Sequence, residues 1–394
     1  MPVDSMTSSI TSSATSSAVF STTSLESPNA VSAGTLSTDS LSAQSLAEQV
    51  RQAYEDKQPL RIIGGGSKSA LGHAVTGKDL CLNHYQGIIN YEPSELVITA
   101  RAGTPLHIIE ATLAEQGQML GFEPPHYDNQ ATLGGTIACG LSGPRRPYSG
   151  AARDFVLGCR MINGKGELLN FGGQVMKNVA GYDVSRLMCG AQGTLGVLLD
   201  ISLKVVPRPQ LEQTLSLECD EIQARSLLNR LGLKPLPISA TCYHNGQLCI
   251  RLSGSESAVI AATQLIGGES LTGREQLAEG EKLWQQLREQ QLPIFKQPFF
   301  WRLSLPPASP SLPAEIIKQQ VIEWGGAQHW ITSKADPETI WNLARSLGGH
   351  ATLHLADKSL RQPLEPGLLT LSQQLRDSFD PGRILNPGRL YPEL

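Results

Sequence analysis

Apolar residues along this chain change their spacing several times, and each change predicts an element. Leu46, Val50, Ala53 and Tyr54 recur at helical intervals behind Ser42, which can cap a first turn, so a helix is predicted over residues 42–56. Leu60–Ile63 is a short apolar run that reads as a strand and passes directly into Gly64-Gly65-Gly66-Ser67-Lys68-Ser69. Residues 88–91 and 96–101 read as further strands, and Thr104-Pro105 supplies a cap and a first helical position for a helix reaching about Gln116. A strand over 155–162 turns through Asn163-Gly164 toward 167–171. After a short helix over 183–188, residues 197–206 alternate as a strand does, with Leu199, Ile201, Leu203 and Val205 on one face. Pro207 and Pro209 mark a boundary. Beyond about residue 210, helical stretches over 220–231 and 258–265 alternate with a strand over 247–252, the pattern of a second α/β unit. Residues 306–313 hold four prolines and read as an extended surface loop.

Composition narrows the class. A chain of 394 residues is long enough for two packed units. The 38 glycines and 25 prolines favour tight turns and close backbone approaches, which places the chemistry on loops. A formal charge of −4 without a Lys/Arg run gives no reason to bind nucleic acid. No apolar stretch approaches the roughly 18 to 20 residues that span a bilayer; the run from Leu195 to Val206 is broken by Asp200 and Lys204. The seven cysteines are dispersed with no CxxC pair, so neither an iron-sulfur cluster nor structural zinc is expected from this chain, and a reducing cytoplasm suits them. Residues 1–42 are rich in Ser, Thr and Ala, without Lys or Arg, and are expected to be disordered rather than a targeting signal.

A loop that packs against a pyrophosphate needs inward-pointing N–H groups and no Cβ in the way, and consecutive glycines after a strand supply both. Gly64 to Ser69 meets that requirement, although it lacks the Gly-Lys-Ser/Thr triplet of a Walker loop and the third glycine of a Rossmann fingerprint. Thr132-Leu133-Gly134-Gly135-Thr136-Ile137-Ala138 puts a glycine pair at a helix start, where anions bind readily. Gly193-Thr194-Leu195-Gly196-Val197 opens a strand with a similarly permissive backbone, and Phe379-Asp380-Pro381-Gly382-Arg383-Ile384-Leu385-Asn386-Pro387-Gly388-Arg389 lies near the C-terminus.

In that order these segments resemble the FAD domain of the vanillyl-alcohol-oxidase family, the PCMH type, which includes glycolate oxidase subunits and D-lactate dehydrogenases. Glu123-Pro124-Pro125-His126-Tyr127, Cys139 to Pro147, Arg153 to Gly158 and Met176 to Asp183 are similar in particular to the FAD-binding subunits of bacterial glycolate oxidase, and the likeness runs from about residue 45 to the end. The resemblance implies an α+β fold in which a two-subdomain FAD-binding domain (43–207) follows the N-terminal extension (1–42) and precedes a smaller α/β cap (208–378), while 379–394 returns to the first domain. It implies that Gly64, Gly65, Gly66, Ser67, Lys68 and Ser69 wrap the pyrophosphate, and that Leu133, Gly134, Gly135, Thr136, Ala138, Gly193, Gly196, Val197 and Asn386 lie along the rest of the FAD. Pro125, His126, Arg145, Arg146 and Lys177 are candidates for the flavin-ring side, where a cation would stabilise the anionic reduced ring. Some relatives tether FAD through a His in the first glycine loop; here the nearest imidazole, His73, lies beyond it, so non-covalent FAD is expected.

Oxidation of a 2-hydroxy acid needs an imidazole or other base beside the flavin and a cation for the carboxylate. The Gly-Asp-Gly-Asn-x-His segment that supplies the imidazole in catalytic relatives is missing, and the nearest likeness is Gly348-Gly349-His350-Ala351-Thr352-Leu353-His354. His350, with Arg145 and Lys177, is therefore a candidate catalytic residue, and no metal ligands are expected. The resemblance implies an FAD-dependent oxidoreductase subunit that works with a catalytic FAD subunit and an iron-sulfur subunit in oxidising glycolate to glyoxylate, in the cytoplasm or held on the inner membrane face by its partners. A self-sufficient 2-hydroxy acid dehydrogenase and a non-catalytic structural subunit are the alternatives.

Overall fold

The computed structural model describes residues 38–173, 183–271 and 274–394. The Ser/Thr-rich head up to residue 37 and the stretch containing Lys177 lie outside the described residues. The first helix, Thr38–Glu55, begins before the expected cap at Ser42 and buries Ala43, Leu46, Ala47, Val50 and Ala53 along one side.

In the first half the strand Leu60–Ile63 pairs in parallel with Lys78–Cys81, so the glycine loop leaves the end of a two-stranded unit. A five-stranded antiparallel sheet follows, in the order Ile88–Glu92, Val97–Arg101, Val197–Lys204, Val156–Ile162 and Leu168–Gly172. The strand Val197–Lys204 is central and buried along nearly its whole length. Its alternation predicted one buried face; Leu198, of opposite parity, is buried too because that side looks into a cavity wall. Helices Leu106–Glu115 and Leu133–Cys139 add to the same apolar core, which gathers residues from Ala43 to Val205 together with Ile384 and Leu385. The expected Thr104 cap does not form. Pro105 occupies the cap position without a side-chain bond, and the Thr104 hydroxyl instead accepts from the Gly87 N–H at 2.8 Å.

Beyond Val206 the chain builds a nine-stranded antiparallel sheet among the described residues. Its order is Glu269–Ser270, Leu211–Glu218, Gln247–Gly254, Ile238–His244, Gln319–Glu323, Gln328–Thr332, Phe299–Ser304, His350–Leu355 and Ser359–Arg361. Helices Glu221–Gly232 and Glu256–Ile266 cover its first strands, and Pro337–Ser346 covers Trp301, Leu303, Ile331 and Ala351 at the other end. The proline-rich segment 306–313 is irregular, as expected, but not purely a surface loop: Leu312 is drawn into that core.

Four charged side chains join the halves. Glu123 accepts from the Arg145 backbone N–H at 3.0 Å, from Arg145 Nε at 3.1 Å and from Arg251 Nη2 at 2.8 Å, while Arg145 Nη2 donates to Glu212 at 2.6 Å. Burial alone would raise the Glu123 carboxyl, but Arg251 and Arg145 hold it below the ordinary carboxylate value. After helix Pro366–Phe379 the chain returns to the first half, where Leu385 bridges Leu60. No helix among the described residues is long and apolar enough to cross a membrane.

Candidate functional site: two adjoining chambers

The first chamber is a cavity of about 430 Å³ to which three distant segments contribute: Gly64 to Ser69, Gly134-Gly135 with Ala138, and Gly193 with Gly196. Asn386 and Arg389 complete it from the C-terminal segment. Two of its glycines are required sterically. A Cβ on Gly65 would stand 1.6 Å from the Gln130 carbonyl oxygen, and one on Gly64 2.5 Å from the Thr132 hydroxyl. Thr132 caps the short helix Leu133–Cys139 by accepting from the Gly135 N–H at 3.3 Å, which sets the glycine pair against the cavity.

Asn386 and Arg389 clasp these loops together. Asn386 Oδ1 accepts from the Ile62 N–H at 2.8 Å, and Nδ2 donates to the Gln192 carbonyl at 2.7 Å. Asn386 holds a left-handed φ of 42°, which Asn tolerates better than most side chains. Arg389 donates to Gln192 Oε1 and to the carbonyls of Lys68, Ser69 and His73, at 2.8 to 3.1 Å. Of the three cations in the wall, Arg389 is spent mainly on the backbone, Arg61 pairs with Asp79, and Lys68 has no anion partner among the described residues. Lys68 is 7% exposed; its ammonium lies 3.4 Å from the Ser67 hydroxyl and 5.3 Å from the centre of the Tyr127 ring. Burial pulls it below the ordinary lysine value, and among the described residues no carboxylate stands within ion-pair distance.

The second chamber, about 350 Å³, lies between the halves and shares Cys139 and Gln192 with the first. One face of the large sheet forms its floor. Trp330, Arg302, Thr352 and Arg361 are register partners across four adjacent strands, and His354 and His350 lie on the same face one pair to either side. The opposite parity, Trp301, Leu303, Ala351 and Leu353, is core. Arg302 stacks on the rings of Trp324 and Trp330, 5.2 and 5.9 Å from their centres, and donates from Nε to Gln328 at 2.6 Å. Burial, then repulsion from Arg146, lowers the Arg302 guanidinium to about 10, which leaves it charged at neutral pH. Arg146 also lies over the Trp324 ring, 4.5 Å from its centre. Burial and the nearby guanidiniums push His354 down to about 3 and lower His350, so both imidazoles are neutral near pH 7. Burial raises the Glu323 carboxyl, although Trp330 and Gln328 donate to it.

The structure sorts the candidates. Gly64, Gly65, Gly66, Ser67, Lys68, Ser69, Gly134, Gly135, Ala138, Gly193, Gly196 and Asn386 line the first chamber, whereas Leu133, Thr136 and Val197 are buried behind its wall. Pro125, Arg146 and His350 line the second chamber. Arg145 lines neither: its guanidinium is consumed by Glu123 and Glu212 at the junction of the halves. His126 likewise turns away, its Nε2 standing 2.9 Å from Glu110. Arg302, His354 and Arg361 were not singled out from the sequence, although the alternation in Phe299–Ser304 and His350–Leu355 puts polar residues on one face.

Glycine loops from separate segments meeting at one cavity, beside an α+β sheet pair, define a flavin-dinucleotide-binding protein, and a family model described as an FAD binding domain matches residues 41–172. FAD is its cofactor. The chain belongs to the GlcE family of glycolate oxidase subunits: it is 52% identical over 353 residues to glycolate oxidase subunit GlcE of Escherichia coli (strain K12), covering 89% of this chain and 98% of that one. It is also 30% identical over 173 residues to glycolate oxidase subunit GlcD of Bacillus subtilis (strain 168), 43% of this chain and 36% of that one. A D-lactate dehydrogenase of Archaeoglobus fulgidus is 24% identical over 399 residues, covering 87% of this chain and 88% of that one. Among solved structures, an alkyldihydroxyacetonephosphate synthase shares the fold at a TM-score of 0.60 and 14% identity, over 88% of this chain and 75% of that one.

Proposed function

We propose that this chain is the FAD-carrying subunit of a glycolate oxidase complex that oxidises glycolate to glyoxylate beside a second flavin subunit and an iron-sulfur subunit. One observation carries the reading: loops from well-separated parts of the sequence converge on a single cavity where Gly64 and Gly65 leave no room for a Cβ and where the buried ammonium of Lys68 has no carboxylate partner among the described residues. A dinucleotide's pyrophosphate fits that deficit. Gly64 to Ser69 would hold the phosphates through backbone N–H groups with Lys68 as counter-charge, and the Gly134 and Gly193 loops would flank the rest. When bound, FAD supplies the two-electron acceptor for a CH–OH group.

Binding is non-covalent in this reading. No His lines the first chamber, and Cys139, which does, has its thiol raised by burial and is a poor nucleophile. In this reading one-electron transfer falls to the iron-sulfur partner, and the chain works in the cytoplasm or against the membrane through its partners; the dispersed cysteines are consistent with that division.

Purifying the chain alone and recording its visible spectrum tests the first step; the two flavin bands are expected, and a colourless folded protein would refute it. Pull-down of tagged protein from the native cell tests the assembly. A second flavoprotein and an iron-sulfur protein should co-elute, and elution of the chain by itself would count against the complex.

A further inference from the structure

The second chamber has a charge balance that the flavin reading does not explain. Arg146, Arg302 and Arg361 all line it, and among the described residues none has a carboxylate within ion-pair distance: Glu323, which also lines it, accepts from Trp330 and Gln328 and attracts Arg302 only from farther away. Three guanidiniums held together between packed halves repel one another, which is costly unless an anion enters. Partial compensation comes from Trp324 and Trp330, but stacking satisfies faces of the guanidinium and leaves its in-plane donors free. Only Nε of Arg302 is hydrogen-bonded to a described residue, and Nε of Arg361 is buried without a partner.

An imidazole completes the set. His354 is 9% exposed, stacks parallel on Phe300 at 4.9 Å, and leaves its Nε2 without a hydrogen-bond partner. Its strand lies between those of Arg302 and Arg361, one pair along. A buried polar atom left unsatisfied costs free energy, so its place on the chamber wall points to a ligand group that bonds it.

We propose that the second chamber is this chain's own binding site for a small 2-hydroxy monocarboxylate, with Arg302 and Arg361 holding the carboxylate and His354 Nε2 accepting from the 2-hydroxyl. Arg146 supplies further positive charge from the opposite half. Because Cys139 and Gln192 belong to both walls, the acid sits next to the flavin chamber, and in this respect the inference rests on the flavin reading. It makes this subunit a substrate binder rather than a passive flavin carrier.

Binding is measured on the purified full chain through the emission of Trp324 and Trp330, with calorimetry as a second readout. The probes are glycolate, acetate, which lacks the 2-hydroxyl, neutral glycolamide, and oxalate, which retains the carboxylate and is not oxidised at a CH–OH group. Glycolate and oxalate should change emission saturably, and glycolamide should not. Arg302→Met and Arg361→Met should each weaken oxalate binding about tenfold or more, as expected for loss of a charge-assisted hydrogen bond. His354→Phe should bring glycolate affinity down to that of acetate without changing acetate. Circular dichroism and the flavin-to-protein ratio establish that each variant is folded and loaded. Arg361→Met, nearer the sheet edge, serves if Arg302→Met does not fold. Equal binding of glycolamide, or unchanged oxalate binding in a folded arginine variant, would overturn the proposal. A chain that binds oxalate as described but purifies without flavin would refute the flavin reading instead.

Discussion

Replacing Glu123 by Gln should destabilise the protein by about 3 kcal/mol. The carboxylate is 15% exposed and answers two guanidiniums that are themselves 11% and 5% exposed, so its charge is not replaceable by water. Without it Arg145 and Arg251 share Glu212, which is 37% exposed and reaches Arg251 only at 3.7 Å. Breaking a buried pair by removing one partner costs about 3 to 5 kcal/mol, and the surviving Glu212 contact puts this case at the lower end. Urea denaturation of the wild type, Glu123→Gln, Arg251→Met and the double variant gives a cycle, with an expected coupling of about 1 to 3 kcal/mol between the two sites. Changing Glu123, Arg145 and Arg251 all to Met should restore much of the loss, because the cost lies in unpaired charge rather than in missing contacts. A Glu123→Gln variant within about 1 kcal/mol of wild type, or strict additivity in the cycle, would show that the network is solvated and refute the reasoning.

Gly65→Ala should fold yet lose most of its flavin, because its Cβ would stand 1.6 Å from a backbone oxygen where carbon normally stops at roughly 3.3 Å, so the loop must move. Gly66→Ala, with open space around it and a φ of 72°, should cost about 1 kcal/mol and keep its flavin; the visible absorbance ratio distinguishes them. Asn386→Ala orphans the Ile62 N–H and the Gln192 carbonyl and should lower stability by about 3 kcal/mol, while Asn386→Asp, which keeps the acceptor, should lie between the two in thermal melts. His354 has an ordinary value of 6.5 and is pushed to about 3 when folded, so between those limits the unfolded chain binds the extra proton and stability rises with pH. His354→Phe should reduce that slope by up to about 1.4 kcal/mol per pH unit across the window, read from melts at several pH values; an unchanged slope would mean the imidazole is protonated in the fold.

Much of the first chamber's lining was legible in the sequence because its requirements are local. A strand ending in three glycines, a Thr before a glycine pair and a Gly-x-x-Gly strand start each state their own backbone geometry. The large sheet was less legible. The strands Phe299–Ser304, Gln319–Glu323 and Gln328–Thr332 carry Arg302, Glu323 and Gln328 among their apolar positions, so their apolar signal is diluted by residues that line the second chamber. Arg145 and His350 show the same limit from the other side: a side chain's type states what it can do, but its partners decide whether it is free to do it. Glu212 and Glu123 consume Arg145, whereas among the described residues Arg302 has no ion pair and feels Glu323 only from beyond bonding distance.

The order of short-range signals along the chain therefore determined the loops, their glycines and the cofactor class, since steric exclusion of a Cβ and the capping of a helix act over a few residues. Only the tertiary structure decided which cations remain unpaired, how Asn386 reaches back more than three hundred residues to Ile62, and that Arg302, Arg361 and His354 share one face. Those outcomes depend on strand register and on how two halves pack, and neither is written in any single segment.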